Sequence, residues 1–123
     1  MIREYSAGIV VYHEEHEHRL YLLLHYSSGH WDFAKGHIEG AESKIEAAMR
    51  ELYEETGIKQ VEIDPLFSYS LDYFLKHRDG QLAFKTVYFF IGKSPSMDVV
   101  LSHEHIDYRW LTYQEALEQL TYQ

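Results

Sequence analysis

The sequence contains no cysteine. That absence removes disulfides, thiolate metal sites and a cysteine nucleophile, and it makes a reducing compartment the simplest address, so a cytoplasmic location is expected. Long apolar runs are missing too: stretches such as YLLL at 21–24 are far too short to span a bilayer. No N-terminal stretch joins a basic start to a long apolar segment and a small-residue cleavage site, so neither a membrane anchor nor a secretory leader is expected. Positive charge is scarce, with 11 Lys and Arg against 20 Asp and Glu and a net charge of -9. This balance argues against duplex nucleic acid as a partner, because such binding draws most of its free energy from cations displacing counterions at phosphates. An anionic ligand would need local help, for which a divalent cation is the simplest source.

What is present in the 123 residues fits one domain, 1–123, with enough chain for one core. SAGIVVY (6–12) and RLYLLLHY (19–26) are rich in β-branched and aromatic residues and read as strands, with the polar HEEHEH (13–18) as a connecting loop. Its alternating histidines and glutamates lack a metal-site spacing, so a solvated turn is expected there. The glycine-rich SSGHWDFAKGHIEGAE (27–42) has no helical periodicity and reads as loop. Ser43 and Glu46 then form a capping box, Ile45, Ala48, Met49 and Leu52 recur at helical spacing, and Gly57 is a stop signal. Two further aromatic strands lie in 61–75 and 81–92, joined through the hairpin signal Asp79-Gly80. A short strand in 102–111 and a second capping box, Thr112 with Glu115, close the pattern. Strands, helix, strands, helix, without a repeat, predict an α/β fold in which helices cover a mixed sheet.

The chemistry is concentrated in the first helix. Glu51, Glu54 and Glu55 sit at i, i+3 and i+4 and share an arc about 100° wide, so they repel one another unless a positive charge arrives. With the apolar stripe committed to the core, the three carboxylates are expected to face outward toward the glycine-rich loop. Converging carboxylate oxygens suit a hard cation, Mg²⁺ or Mn²⁺.

Counting outward gives Gly36, five residues, Glu42, seven residues, Arg50-Glu51-Leu52, one residue, Glu54-Glu55, one residue, Gly57-Ile58. This stretch resembles the Nudix box at every defining position. The resemblance implies the Nudix fold, an α/β/α sandwich with a mixed central sheet, and metal-dependent hydrolysis of a nucleoside diphosphate linked to another group. By position in the box, Glu51 and Glu55 resemble the principal metal ligands, Glu54 a ligand or the base that orients water, and the Gly36 carbonyl a further ligand. Arg50 would hold a glutamate by a charge-assisted pair. Glu42 would tie the loop to the helix or simply favour its N-terminus.

Outside the box, HWDFAKGH (30–37), LDYF with FKTV, and LSHEHIDYRWL (101–111) resemble the asymmetrical diadenosine tetraphosphate hydrolases, a subgroup that cuts the dinucleotide into ATP and AMP. That resemblance puts His30, Lys35 and Lys85 at the polyphosphate and makes Glu104 an additional metal ligand or a helper to the attacking water. It matches Tyr73 and Tyr122 to aromatics that would stack on adenine, a contact that tolerates any base. Ala34 stands where the subgroup usually has proline, which leaves this loop freer. The expected partner is a small nucleotide, with Mg²⁺ as cofactor and Mn²⁺ as its alternative; the sequence leaves the oligomeric state open. The competing readings are another Nudix specificity, acting on nucleoside triphosphates, RNA 5′ ends or ADP-ribose, and a nucleotide-sensing domain without catalysis.

Overall fold

The computed structural model describes residues 1–120. Strands β1 (Ile2–Glu15) and β2 (His18–Tyr26) form an antiparallel hairpin. Its turn is only His16 and Glu17, with φ of 49° and 68°, the left-handed pair that matches strand twist. The polar 13–18 stretch is therefore mostly paired strand rather than loop: Glu14 is held by Arg19 at 3.3 Å and Lys93 at 3.2 Å, and His13 Nδ1 lies 2.8 Å from the Ser94 carbonyl. Polar side chains at an exposed hairpin end conceal the strand signal that burial would otherwise provide.

The glycine-rich stretch also holds strands, β3 (Trp31–Asp32) and β4 (Ala34–His37). Each is too short to show a period, so reading this segment as loop is corrected. Beyond helix α1 (Lys44–Thr56) come β5 (Glu62–Ile63), β6 (Tyr69–Lys76), β7 (Leu82–Lys93), β8 (His105–Leu111) and helix α2 (Tyr113–Gln119). The β6–β7 turn closes at Gly80, whose φ is 89° and whose N–H donates to the His77 carbonyl at 2.9 Å.

Strand β1 is the spine of one mixed sheet. It runs parallel to β7 from Ile2 opposite Ala83 to Tyr12 opposite Lys93, while β6 and β5 pair antiparallel with β7. A parallel pair needs a crossover, and α1 lies within it. On the other edge of β1, β4 pairs near Ser6 to Ile9 and β2 near Tyr12 to Glu15, with β3 and β8 continuing from β2.

Alternation along β2 shows the layering. Leu22 and Leu24 join Ile9, Ala47, Ala48 and Leu52 under α1, whereas Leu23 joins Trp31 and Ala116 under α2. The helices therefore cover opposite faces, the expected α/β/α sandwich. Both capping boxes are formed. The buried arc of α1 is turned from the expected one: Ile45 is exposed, and Ala47, Ala48, Leu52, Glu55 and Thr56 are buried. Small side chains at 47 and 48 let the helix lie close to Ala7 and Ile9, which carries the inner arc round to Glu55.

Candidate active site

Strand β4 and helix α1 meet at Gly36. Gly36 pairs with Ala7 of β1, and a Cβ added to it would collide with the Glu51 carboxylate. Only glycine lets the strand backbone and this carboxylate touch. At the end of the helix, Gly57 takes the left-handed conformation, φ 74°, and its N–H caps the Tyr53 carbonyl at 2.9 Å.

Arg50 gathers the surrounding acids. Its Nε and Nη2 donate to both oxygens of Glu42 at 2.6 and 3.1 Å, and Nη1 donates to Glu51 at 2.9 Å and Glu54 at 2.7 Å. Nη2 also reaches the His37 carbonyl at 2.9 Å, fastening the loop to the helix. Glu42 receives the Glu39 backbone N–H as well, so its tying role is formed. Hydrogen bonding to these acids raises the Arg50 pKa, and Arg50 holds the Glu42 carboxyl below its usual range.

Glu55 departs from the expected outward direction, being only 5 % exposed. Its carboxyl pKa lies well above the ordinary range, first through burial and then through hydrogen bonding and charge repulsion with Glu51. Tyr26 donates its hydroxyl to the Phe33 carbonyl at 2.9 Å and approaches Glu55 Oε1 at 3.3 Å. Buried His105 adds Nε2 at 3.7 Å from the same oxygen. Tyr26 and His105 were missed in the sequence because nothing in their spacing ties β2 or β8 to α1.

Among the described residues, no three His, Cys, Asp or Glu stand arranged as a ready metal cluster. Arg50 draws Glu51 and Glu54 to itself instead. The donor chemistry nonetheless suits a hard divalent cation: Gly36 leaves room for the Glu51 carboxylate, and the buried Glu55 stands one helical turn on. A divalent cation would neutralise both acids in place of a proton.

The opposite face of β4 carries Lys35, whose Nζ is 2.9 Å from Asp32 Oδ2. Lys85 stands across from Glu4 on β1 and Tyr73 on β6, so all three project from one face. Burial lowers the Lys85 pKa and Lys35 lowers it further, while Glu4 and Asp32 oppose the shift. His30 stacks on Tyr26 at 4.6 Å, its Nδ1 is 2.8 Å from Ser28 Oγ, and burial lowers its pKa. Glu104 lies in the loop before β8, where its carbonyl accepts the Ser27 N–H at 3.0 Å and its charge acts on His105. Lys35 thus lies near enough to Lys85 and His30 to act on both, and His105 lies within the field of His30 and Glu51. Tyr122 lies outside the described residues. A separate groove of about 950 Å³, walled by Tyr5, Ile38, Tyr88 and Phe90, reaches the acids of the site at Glu4 and Glu42.

The sequence matches the NUDIX domain family over residues 2–123. It is similar to bis(5′-nucleosyl)-tetraphosphatase [asymmetrical] of Mus musculus, 38 % identical over 104 residues, which cover 80 % of this chain and 67 % of the mouse protein. It is also similar to an RNA pyrophosphohydrolase of Pelagibacter ubique, 30 % identical over 118 residues, covering 86 % of this chain and 74 % of that one. Among solved structures, a C. elegans Ap4A hydrolase binary complex superposes with a TM-score of 0.85 at 31 % identity, covering 97 % of this chain and 87 % of that one.

Proposed function

Because this chain belongs to the NUDIX domain family and is a hydrolase of phosphoric anhydride bonds, we propose that it cleaves dinucleoside polyphosphates, taking diadenosine tetraphosphate and water to ATP and AMP. The observation that carries the reading is the Glu51 carboxylate against the Gly36 backbone with the buried carboxyl of Glu55 one helical turn on, an acid pair that calls for a cation. Glu51, Glu54, Glu55 and the Gly36 carbonyl, with Glu104 from the facing loop, would hold Mg²⁺ or Mn²⁺. Nudix hydrolases generally use such ions, which neutralise phosphate charge and acidify water.

The chain's own groups supply the remainder. Arg50 keeps Glu42, Glu51 and Glu54 in place, and Glu54, the most exposed of the three at 52 %, has the solvent access to orient the attacking water or to serve as a further ligand. Lys35 and Lys85 bind the polyphosphate and steady the departing nucleotide, with His30 beside them. Tyr73 lies next to Lys85 and offers a ring for an adenine, with Tyr122 as its proposed partner. The substrate assignment is supported by the names of the mouse and C. elegans relatives.

A second reading, release of pyrophosphate from RNA 5′ ends, is favoured by the similarity to the RNA pyrophosphohydrolase. Anion-exchange analysis of products from diadenosine tetraphosphate and Mg²⁺, run beside Glu55→Gln, separates them. Equal ATP and AMP, nearly absent in the variant, is the expected result. No cleavage of the dinucleotide, with pyrophosphate released from 5′-triphosphorylated RNA, would replace the first reading by the second.

A further inference from the structure

His105 is a buried imidazole with one nitrogen unaccounted for. Its Nδ1 lies 3.0 Å from Ser102 Oγ, and its ring packs edge-on against Tyr26 at 4.4 Å. Its Nε2 is buried without a hydrogen-bond partner, and the nearest acid oxygen is Glu55 Oε1, 3.7 Å away. A buried polar nitrogen left unpaired is costly, so its direction needs an explanation.

The surrounding bonds accommodate the tautomer with its proton on Nε2. Ser102 Oγ accepts the Glu104 backbone N–H at 3.3 Å, which leaves its own hydroxyl proton available for His105 Nδ1. With Nδ1 accepting from Ser102, the ring proton would sit on Nε2, the nitrogen that faces Glu55 Oε1. The Glu55 carboxyl receives the Lys35 backbone N–H, and at Oε1 the Tyr26 hydroxyl, whose single proton is held more closely by Phe33. The loop cannot drift from the helix: Ser102 N–H donates to the Glu55 carbonyl at 3.2 Å, and Val100 N–H to Thr56 at 2.9 Å.

We propose that His105 is a positioning residue for Glu55, held by Ser102 as the Nε2–H tautomer so that it grips Oε1 and fixes the carboxylate that would hold the cation. The inference rests on the reading of Glu55 as a cation ligand. The 3.7 Å separation lies just beyond hydrogen-bond reach, so the grip needs only a small movement of the ring or the carboxylate.

Mn²⁺ binding to the purified protein, measured by titration calorimetry, tests this in wild type, Glu55→Gln, His105→Leu, His105→Gln and Ser102→Ala. Residues that orient a metal ligand change affinity by about 10–100-fold, so His105→Leu is expected to bind that much more weakly. His105→Gln keeps an amide N–H near the Nε2 position and should restore most of the loss. Ser102→Ala frees the tautomer and should fall between. In turnover, His105→Leu should raise the Mn²⁺ concentration needed for half-maximal rate and leave KM for the nucleotide unchanged.

Wild-type affinity in His105→Leu, with Glu55→Gln impaired, would overturn the positioning role and leave the metal site standing. Equal weakness of His105→Leu and His105→Gln would reduce His105 to packing and also overturn it. If Glu55→Gln binds as wild type does, the metal reading fails and takes this inference with it. Should His105→Leu not fold, Ser102→Ala decides, since it leaves the ring in place: unchanged affinity there refutes the proposal.

Discussion

Replacing Arg50 by alanine removes one guanidinium from between Glu42, Glu51, Glu54 and the His37 carbonyl. Charge-assisted hydrogen bonds of a partly buried group contribute about 1.5–3 kcal/mol, and pairs open to solvent much less. The Arg50 side chain is 26 % exposed and its Glu54 partner 52 %, so the screened cost of the substitution is about 1–2 kcal/mol. For a chain of this length, each kcal/mol moves Tm by roughly 3–6 °C, giving a fall of roughly 3–12 °C at pH 7 in metal-free buffer. Arg50→Lys keeps the charge but not the fork, and should recover less than half of that loss. The pH dependence carries the mechanism. Arg50 holds the Glu42 pKa below its usual value, so this stabilisation is complete above the unfolded carboxylate pKa of about 4.3 and is lost as pH falls through the lower folded value. The gap between wild type and Arg50→Ala should therefore be full at pH 7 and shrink below about pH 4. Thermal melts followed by circular dichroism across this range provide the assay. Coincident melts at pH 7, or a gap that stays constant into acid, would refute Arg50 as the clamp of this acid cluster.

Gly36→Ala should keep the fold and weaken Mn²⁺ binding by about 10–100-fold, because the new Cβ displaces the Glu51 carboxylate; calorimetry and a melt on the same sample separate the two effects. Glu55→Gln should raise the Tm of the metal-free protein while abolishing turnover. A carboxyl whose folded pKa is raised destabilises the fold increasingly as pH climbs above its unfolded value, so the gain should grow from about pH 5 upward and disappear in acid. Lys85→Met should raise KM for the polyphosphate at least about tenfold with little loss of stability, since burial already disfavours the Lys85 charge; steady-state kinetics beside a melt checks both. An unchanged KM would remove Lys85 from the phosphate site.

The elements that the sequence disclosed were those with local chemistry. Ser43 with Glu46, Thr112 with Glu115, Asp79-Gly80 and Gly57 act within a few residues, and each stands where its local signal places it. Strands β3 and β4 were invisible because they are made by pairing with distant β2 and β1, and two to four residues cannot display alternation. The acids of the site were legible as a set, yet their inequality was not. Periodicity puts Glu51, Glu54 and Glu55 on one arc, and only the depth of the helix on the sheet decides which member goes under. Ala47 and Ala48 set that depth, and so Glu55 is buried, Glu54 reaches solvent and Glu51 lies between them. The same packing explains why the fold tolerates a destabilising acid. Glu55 lies against long-range neighbours, with the Tyr26 hydroxyl from β2 at 3.3 Å and buried His105 from β8 at 3.7 Å, whose core neighbours stabilise the sheet independently of it. A buried acid so confined cannot relax toward water, and binding a cation becomes its most favourable way to remain charged.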